Sequence, residues 1–169
     1  MSESWETFYL MVGSSSAALI GLLFVVVTLN AETNSAAREA GSRTFLTPIV
    51  FHFAMVFLVS TLALMPDVNT RIMALGVSAI SLAGLGFGGA ALVRMVLGLF
   101  PVPHWTDYVY YGGLPVVIYA ALLASGAGLW FGAPFAVHGL AVAALALLFL
   151  AIRDAWDLAT WLAYHRESP

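Results

Sequence analysis

The chain has no cysteine and no lysine. Without a thiol, disulfide exchange, iron–sulfur ligation and thiolate zinc sites are excluded. Without a lysine, a retinal or other lysine Schiff base and any lysine nucleophile are excluded. All six basic residues are arginines, at positions 38, 43, 71, 94, 153 and 166. Charge of either sign is scarce, at 9% of 169 residues, where a soluble domain carries roughly a quarter. A net charge of −3 without any basic run leaves no footprint for nucleic acid or for a polybasic lipid-binding tail.

Apolar residues fill the chain instead, at 62% of the sequence with a mean hydropathy of +0.95. This composition predicts an integral membrane protein, all-α, a polytopic bundle forming one transmembrane domain over 1–169. A hydrocarbon core about 30 Å thick needs around 20 apolar residues per helix. Five runs meet that length, at 8–29, 45–65, 72–94, 108–131 and 133–152. Asn30-Ala31-Glu32 ends the first and Pro66-Asp67 the second, since proline and the residue before it resist helix continuation. Residues 153–166 are expected to continue the fifth run as an interfacial or cytoplasmic helix.

Arginine counts near the span ends set the orientation. One side carries only Arg71, whereas Arg38, Arg43, Arg94, Arg153 and Arg166 fall on the other. The reading is an N-terminus outside and a C-terminus in the cytoplasm. Tryptophan, which favours the headgroup level, agrees: Trp5 and Trp130 fall at the outer face, Trp105, Trp156 and Trp161 at the inner one. No positive charge precedes Arg38, and Glu3 and Glu6 are acidic, so the first span is expected to be a retained anchor rather than a cleaved signal peptide.

Membrane helices associate through close backbone approach at small residues three or four apart. Gly13, Ala17 and Gly21 form such a stripe on the first span, Gly84 and Gly88 with Gly86 and Ala90 on the third, and Ala120, Ala124 and Gly128 on the fourth. Ordinary packing within one bundle accounts for each. Together they leave little room for a cavity in a monomer, so a conducting protein would be a homo-oligomer.

Intramembrane polar groups are costly enough to mark sites, and here they collect at the cytoplasmic side. Asn30 and Glu32 end the first span there, and Thr47-Pro48 open the second as a cap and first-turn proline. His52 lies one turn further in, and its ordinary titration range makes it the proton-sensitive candidate. Arg94 closes the third span, Asp107 and Tyr111 open the fourth, and Arg153, Asp154 and Asp157 end the fifth. Pro115 should leave the Tyr111 carbonyl without its helical donor, and Gly112-Gly113 favour local unwinding, which in membrane helices lines sites. The plainer alternative is an ion-pair network tying helix ends together, with Arg153 bonded to Asp157 at i,i+4 and Arg94 paired to Asp107 or Asp154.

Other constellations carry less. His52 and His138 lie at different depths, so a haem between them is not expected, and no metal set or other cofactor is read. Ser14, Ser15 and Ser16 have no histidine–carboxylate partner near them and are expected to bond backbone or a neighbouring helix. The tail with Trp156, Leu158, Trp161 and Leu162 is read as an interfacial anchor.

Four stretches resemble a family of small, uncharacterised bacterial membrane proteins. Trp5-x-x-Phe8-Tyr9 with Gly13 and the Ala17-to-Val25 run resembles its first span, and Phe45-x-x-Pro48-x-x-x-His52-Phe53 its second. Asp107, Tyr111 and Leu114-Pro115 are similar to its fourth span, and Ile152-Arg153-x-Ala155-Trp156-Asp157 to its C-terminal signature. Asp154 departs from the asparagine common there and adds a negative charge. The resemblance implies a bacterial inner-membrane location and draws attention to Pro48, His52, Asp107, Tyr111, Arg153, Trp156 and Asp157. It implies no activity.

The functional expectation is a homo-oligomeric channel-like or transporter-like protein. Arg94 and Arg153 would set charge selectivity, Asp107, Asp154 and Asp157 would hold them or contact a cation, and His52 would gate by protonation. The alternative is a non-catalytic accessory subunit bound to a larger membrane-protein partner. An intramembrane enzyme ranks last, since no nucleophile with its base and no acid–base pair follows from spacing.

Overall fold

The computed structural model describes residues 3–30, 36–98 and 108–164, with side chains throughout except at 30, 36–45 and 161–164. Every regular element among these residues is helical. Helix α1 spans Glu3–Asn30, α2 Ala36–Leu64 and α3 Thr70–Val96; a π-helical turn over Tyr108–Gly113 leads into α4, Leu114–Phe131, and α5 spans Ala136–Tyr164. Five helices are long and apolar enough to cross a membrane. Their outward surface carries large apolar side chains such as Leu10, Phe24, Leu75, Leu82, Val117, Val142 and Phe149. Apolar cover this continuous is abnormal for a water-soluble monomer and suits contact with lipid chains.

Helices α1, α2, α3 and α5 are longer than the apolar runs. At α2 this changes a local expectation. Pro48 was expected in the first turn with Thr47 as its cap, but the helix begins at Ala36 and carries Pro48 in its interior. Ala36, Ala37, Arg38, Glu39 and Ala40 are good helix formers, so backbone helix extends past the point where hydropathy falls. Pro48 there removes one main-chain hydrogen bond, and Thr47 is engaged in another contact.

The ends of α2, α3 and α4 follow sequence chemistry. Asp67 adopts a φ of 55° in the turn after α2, a conformation that Asp tolerates better than most residues. The Asn69 side chain then caps α3, accepting a hydrogen bond from the Ile72 N–H at 2.8 Å, which satisfies one of the orphan donors of the first turn. Helix α4 stops at Gly132, φ 70°, where the Ala133 N–H donates to the Gly128 carbonyl at 2.8 Å in a Schellman arrangement followed by Pro134.

Each helix packs on its chain neighbour, α1 also leans on α5, and α2 and α5 touch through the middle. Helices α1, α3 and α5 therefore begin at one end of the bundle, where Trp5 meets His138 edge-on at 5.2 Å and the Arg71 guanidinium lies 5.8 Å from the Trp130 ring. Small residues let the helices approach. A Cβ on Gly84 of α3 would overlap the Tyr119 ring of α4, one on Gly112 would meet Leu92, and one on Gly13 of α1 would press on Ser60 of α2. The expected stripes divide. Gly13, Gly84, Gly88 and Gly128 face neighbouring helices, whereas Ala17, Gly21, Gly86, Ala90, Ala120 and Ala124 face outward. A helix with small residues on several faces needs only one of them inside the bundle.

Candidate functional site: an arginine between two carboxylates

The far end of the bundle is where α1, α3 and α5 finish and α2 and the π-helical turn begin. Here α5 carries Arg153, Asp154 and Asp157 on successive faces of little more than one turn. Asp154 continues the buried stripe of Leu147 and Ala151 and precedes Leu158, at spacings of four, three and four, so the helix period drives it into the core with 1% exposure. Arg153 and Asp157 lie toward the rim, 36% and 40% exposed. The guanidinium reaches both acids: Nη1 donates to Asp154 Oδ1 at 3.1 Å, and Nη2 lies 3.0 Å from Asp157 Oδ2. Its face lies against Tyr110 of the π-helical turn, 3.7 Å from the ring centroid, close enough for a strong cation–π contact.

The guanidinium meets two of the four carboxylate oxygens, one on each acid. Asp157 can be hydrated at the rim. Asp154 Oδ2 is buried and has no hydrogen-bond partner. An unsatisfied charged oxygen removed from water is among the costliest groups a fold can keep.

A second polar pair lies deeper and is separate from the first. His52 of α2, 2% exposed, has its Nδ1 2.9 Å from the Tyr119 hydroxyl of α4. Phe51 and Phe87 stack beside it with ring centroids 4.2 Å apart, and the His52 ring meets Phe87 edge-on at 6.2 Å. His52 is thus a hydrogen-bonded core residue. It makes no ion pair with Arg153, Asp154 or Asp157.

The other expected site residues fall as follows. The i,i+4 bond of Arg153 to Asp157 is present. Arg94 is exposed in the last turn of α3, where a cation complements the helix dipole. Its alternative pairing with Asp154 does not form, because Arg153, one residue away from Asp154 on the same helix, takes that carboxylate. Tyr111 is half-buried and engaged in a contact; the turn before Pro115 has π-helical spacing rather than being unwound. Pro115 is buried against Gly88. Trp156 is exposed on the outward face of α5. Asp107, Glu32, Trp105 and Arg166 lie outside the described residues, as do the side chains of Asn30, Arg38, Arg43, Phe45 and Trp161.

Two participants were missed by sequence reasoning. Tyr110, not Tyr111, covers Arg153, because the π-helical turn changes the angular step between residues and so the one that faces α5. Tyr119 partners His52. A phenol in the middle of an apolar span was a usable signal, since its hydroxyl must find a partner when buried.

Ser16, by contrast, behaves as expected, donating across to the Phe53 carbonyl of α2 at 2.6 Å. Among the described residues, no group of three or more His, Asp or Glu side chains is placed to hold a metal ion. Compared with protein-family models, with curated proteins and with solved structures, the chain matches none of them. The geometry of the far-end cluster therefore carries the functional reading.

Proposed function

We propose that the chain is a channel-like or transporter-like protein that works as a homo-oligomer in the bacterial cytoplasmic membrane, N-terminus outside, through the cluster of Arg153, Asp154 and Asp157. One observation carries this reading: a carboxylate buried in the core keeps an unpartnered oxygen beside a guanidinium that it shares with a second acid. Intramembrane ionisable groups in such settings mark ion pathways and proton relays. A purely structural tie would be served better by one acid per arginine, with every oxygen satisfied. Arg94 and Asp107 belong to the same end in this reading and bias the charge of the entrance, with the bilayer as the solvent of the outward face. The outward small residues of α1, α3 and α4 support close approach of a second copy.

His52 enters this reading as a gate residue only through Tyr119, since the hydrogen bond between them spans α2 and α4. Its protonation would change that bond and the packing of two helices together.

The test is flux of protons and monovalent cations into proteoliposomes holding wild type, Asp154→Asn, Arg153→Ala and His52→Ala, with subunit number read by native mass spectrometry. Flux in the wild type that falls in Asp154→Asn supports the reading. Equal flux in all four, or none in the wild type, ends it.

A further inference from the structure

The far-end triad carries one guanidinium against two carboxylates, so its formal charge is −1 with both acids ionised. Asp154 Oδ2 is its one oxygen that is both buried and without a donor among the described residues. A single added positive charge on that atom would make the triad neutral and remove the cost of keeping an ionised oxygen from water. A metal ion such as sodium or calcium needs several oxygens around it, and among the described residues no third acidic or histidine side chain joins Asp154 and Asp157 to supply them. A proton needs only one.

We infer that Asp154 Oδ2 is a reversible proton-binding site, at which an arriving proton and the Arg153 guanidinium compete for one carboxylate. The inference rests on the transport reading for its role and names the proton as the coupled species. On the same helix, Arg153 and Asp157 face the site, and from the π-helical turn Tyr110 does so through Arg153. From α2 and α4, which both pack on α5, the ionisable groups among the described side chains are His52 and Tyr119, and these are paired with each other. The described part of α1 at this end, Phe24 to Leu29, has no ionisable side chain.

Competition has a structural consequence. With Asp154 ionised, Arg153 is held between both acids and against Tyr110, which clamps α5 to the π-helical turn. With a proton on Oδ2 the pull of Asp154 on Nη1 weakens, and Arg153 is held chiefly by exposed Asp157, a pair of the kind worth little at a surface. Proton arrival thus loosens the contact between α5 and the entry to α4, and proton loss restores it.

The experiment is labelling of the purified full-length protein in lipid vesicles with dicyclohexylcarbodiimide, an apolar reagent that adds to a carboxyl group carrying its proton. Adducts are placed by peptide mapping on the wild type, so the result does not depend on whether a variant folds. The expected result is a single adduct per chain, on Asp154, retained in Asp157→Asn and lost in Asp154→Asn, with a yield that falls as pH rises. An adduct on Asp157 instead, or none on Asp154 at any pH, overturns the inference. Protection of Asp154 by sodium chloride but not by choline chloride overturns it too, by making sodium the ligand. Labelling of Asp154 in a protein without any flux sinks the transport reading alone. Proton flux that survives carbodiimide treatment, with Asp154 unlabelled, sinks the inference alone.

Discussion

The Tyr119 hydroxyl lies 2.9 Å from His52 Nδ1, and the ring that carries it rests where a side chain on Gly84 would otherwise be. Three helices meet in this contact: α2 supplies the imidazole, α4 the phenol, and α3 the missing side chain. The polar bond and the glycine are one structural device, because the hydroxyl reaches His52 only if the ring can lie against bare backbone.

Replacing Tyr119 by Phe keeps the ring and removes the partner of a buried imidazole nitrogen, which costs about 1–3 kcal/mol. Tyr119→Phe is expected to melt below wild type in detergent. Tyr119→Phe with His52→Leu should lose less than the sum of the two single changes, since neither then strands a buried polar atom. Additive losses would mean that the bond contributes nothing.

Gly84→Ala and Gly86→Ala give a contrast on one helix. A methyl at Gly84 collides with the Tyr119 ring, whereas one at Gly86 meets open space. Overpacking of this kind costs about 1–3 kcal/mol, and alanine gains up to roughly 1 kcal/mol over glycine in a helix interior. Thermal unfolding should therefore rank Gly84→Ala below wild type and Gly86→Ala at or above it. If Gly86→Ala instead reduces subunit number in native mass spectra, that face belongs to the contact between copies.

Arg153→Ala removes the only described donor to Asp154. Stranding a buried ionised carboxylate costs up to about 3–5 kcal/mol, while Asp157→Ala, which breaks an exposed i,i+4 pair, should cost only about 0.3–0.5 kcal/mol. The penalty in Arg153→Ala falls on the ionised form alone. It is expected to grow as pH rises and to shrink as pH falls, and the double variant Arg153→Ala with Asp154→Leu should recover most of it. Melting curves at several pH values check both points.

What could be read from the sequence was what is local. The five spans and the Arg153–Asp157 bond depend on hydropathy over one turn or one helix and needed no knowledge of neighbours. Pro48 shows where hydropathy stops informing: it measures preference for lipid, while helix continuation depends on backbone propensity, and Ala36 to Ala40 are polar-flanked yet helical. The His52–Tyr119 bond joins residues on different helices, and no spacing rule pairs them. Asp154 lay between these cases. Its burial follows from helical period once the core face of α5 is known, but its unequal oxygens depend on where Arg153 is drawn by Tyr110, which the widened turn decides.

The absence of cysteine makes orientation directly measurable. Single substitutions Ser4→Cys and Leu97→Cys place one thiol at each end of the bundle, on exposed residues. A membrane-impermeant maleimide applied to intact cells should label Ser4→Cys and reach Leu97→Cys only after permeabilisation. The reverse pattern would invert the topology.

The π-helical turn over Tyr108–Gly113 also bears on how the chain can change in length. Hydrogen bonds in such a turn close five residues apart instead of four, so the segment accommodates one residue that an ordinary helix would not. Deleting Gly112 would let the turn tighten to α-helical spacing and leave α4, from Leu114 onward, in its present register against α3. Because the wide turn absorbs that residue, Tyr108 would keep close to its present phase, and the change would be confined to the turn that sets Tyr110 against Arg153. The widened turn is in that sense an absorbed insertion, and it lets the segment that meets Arg153 lose one residue without shifting α4.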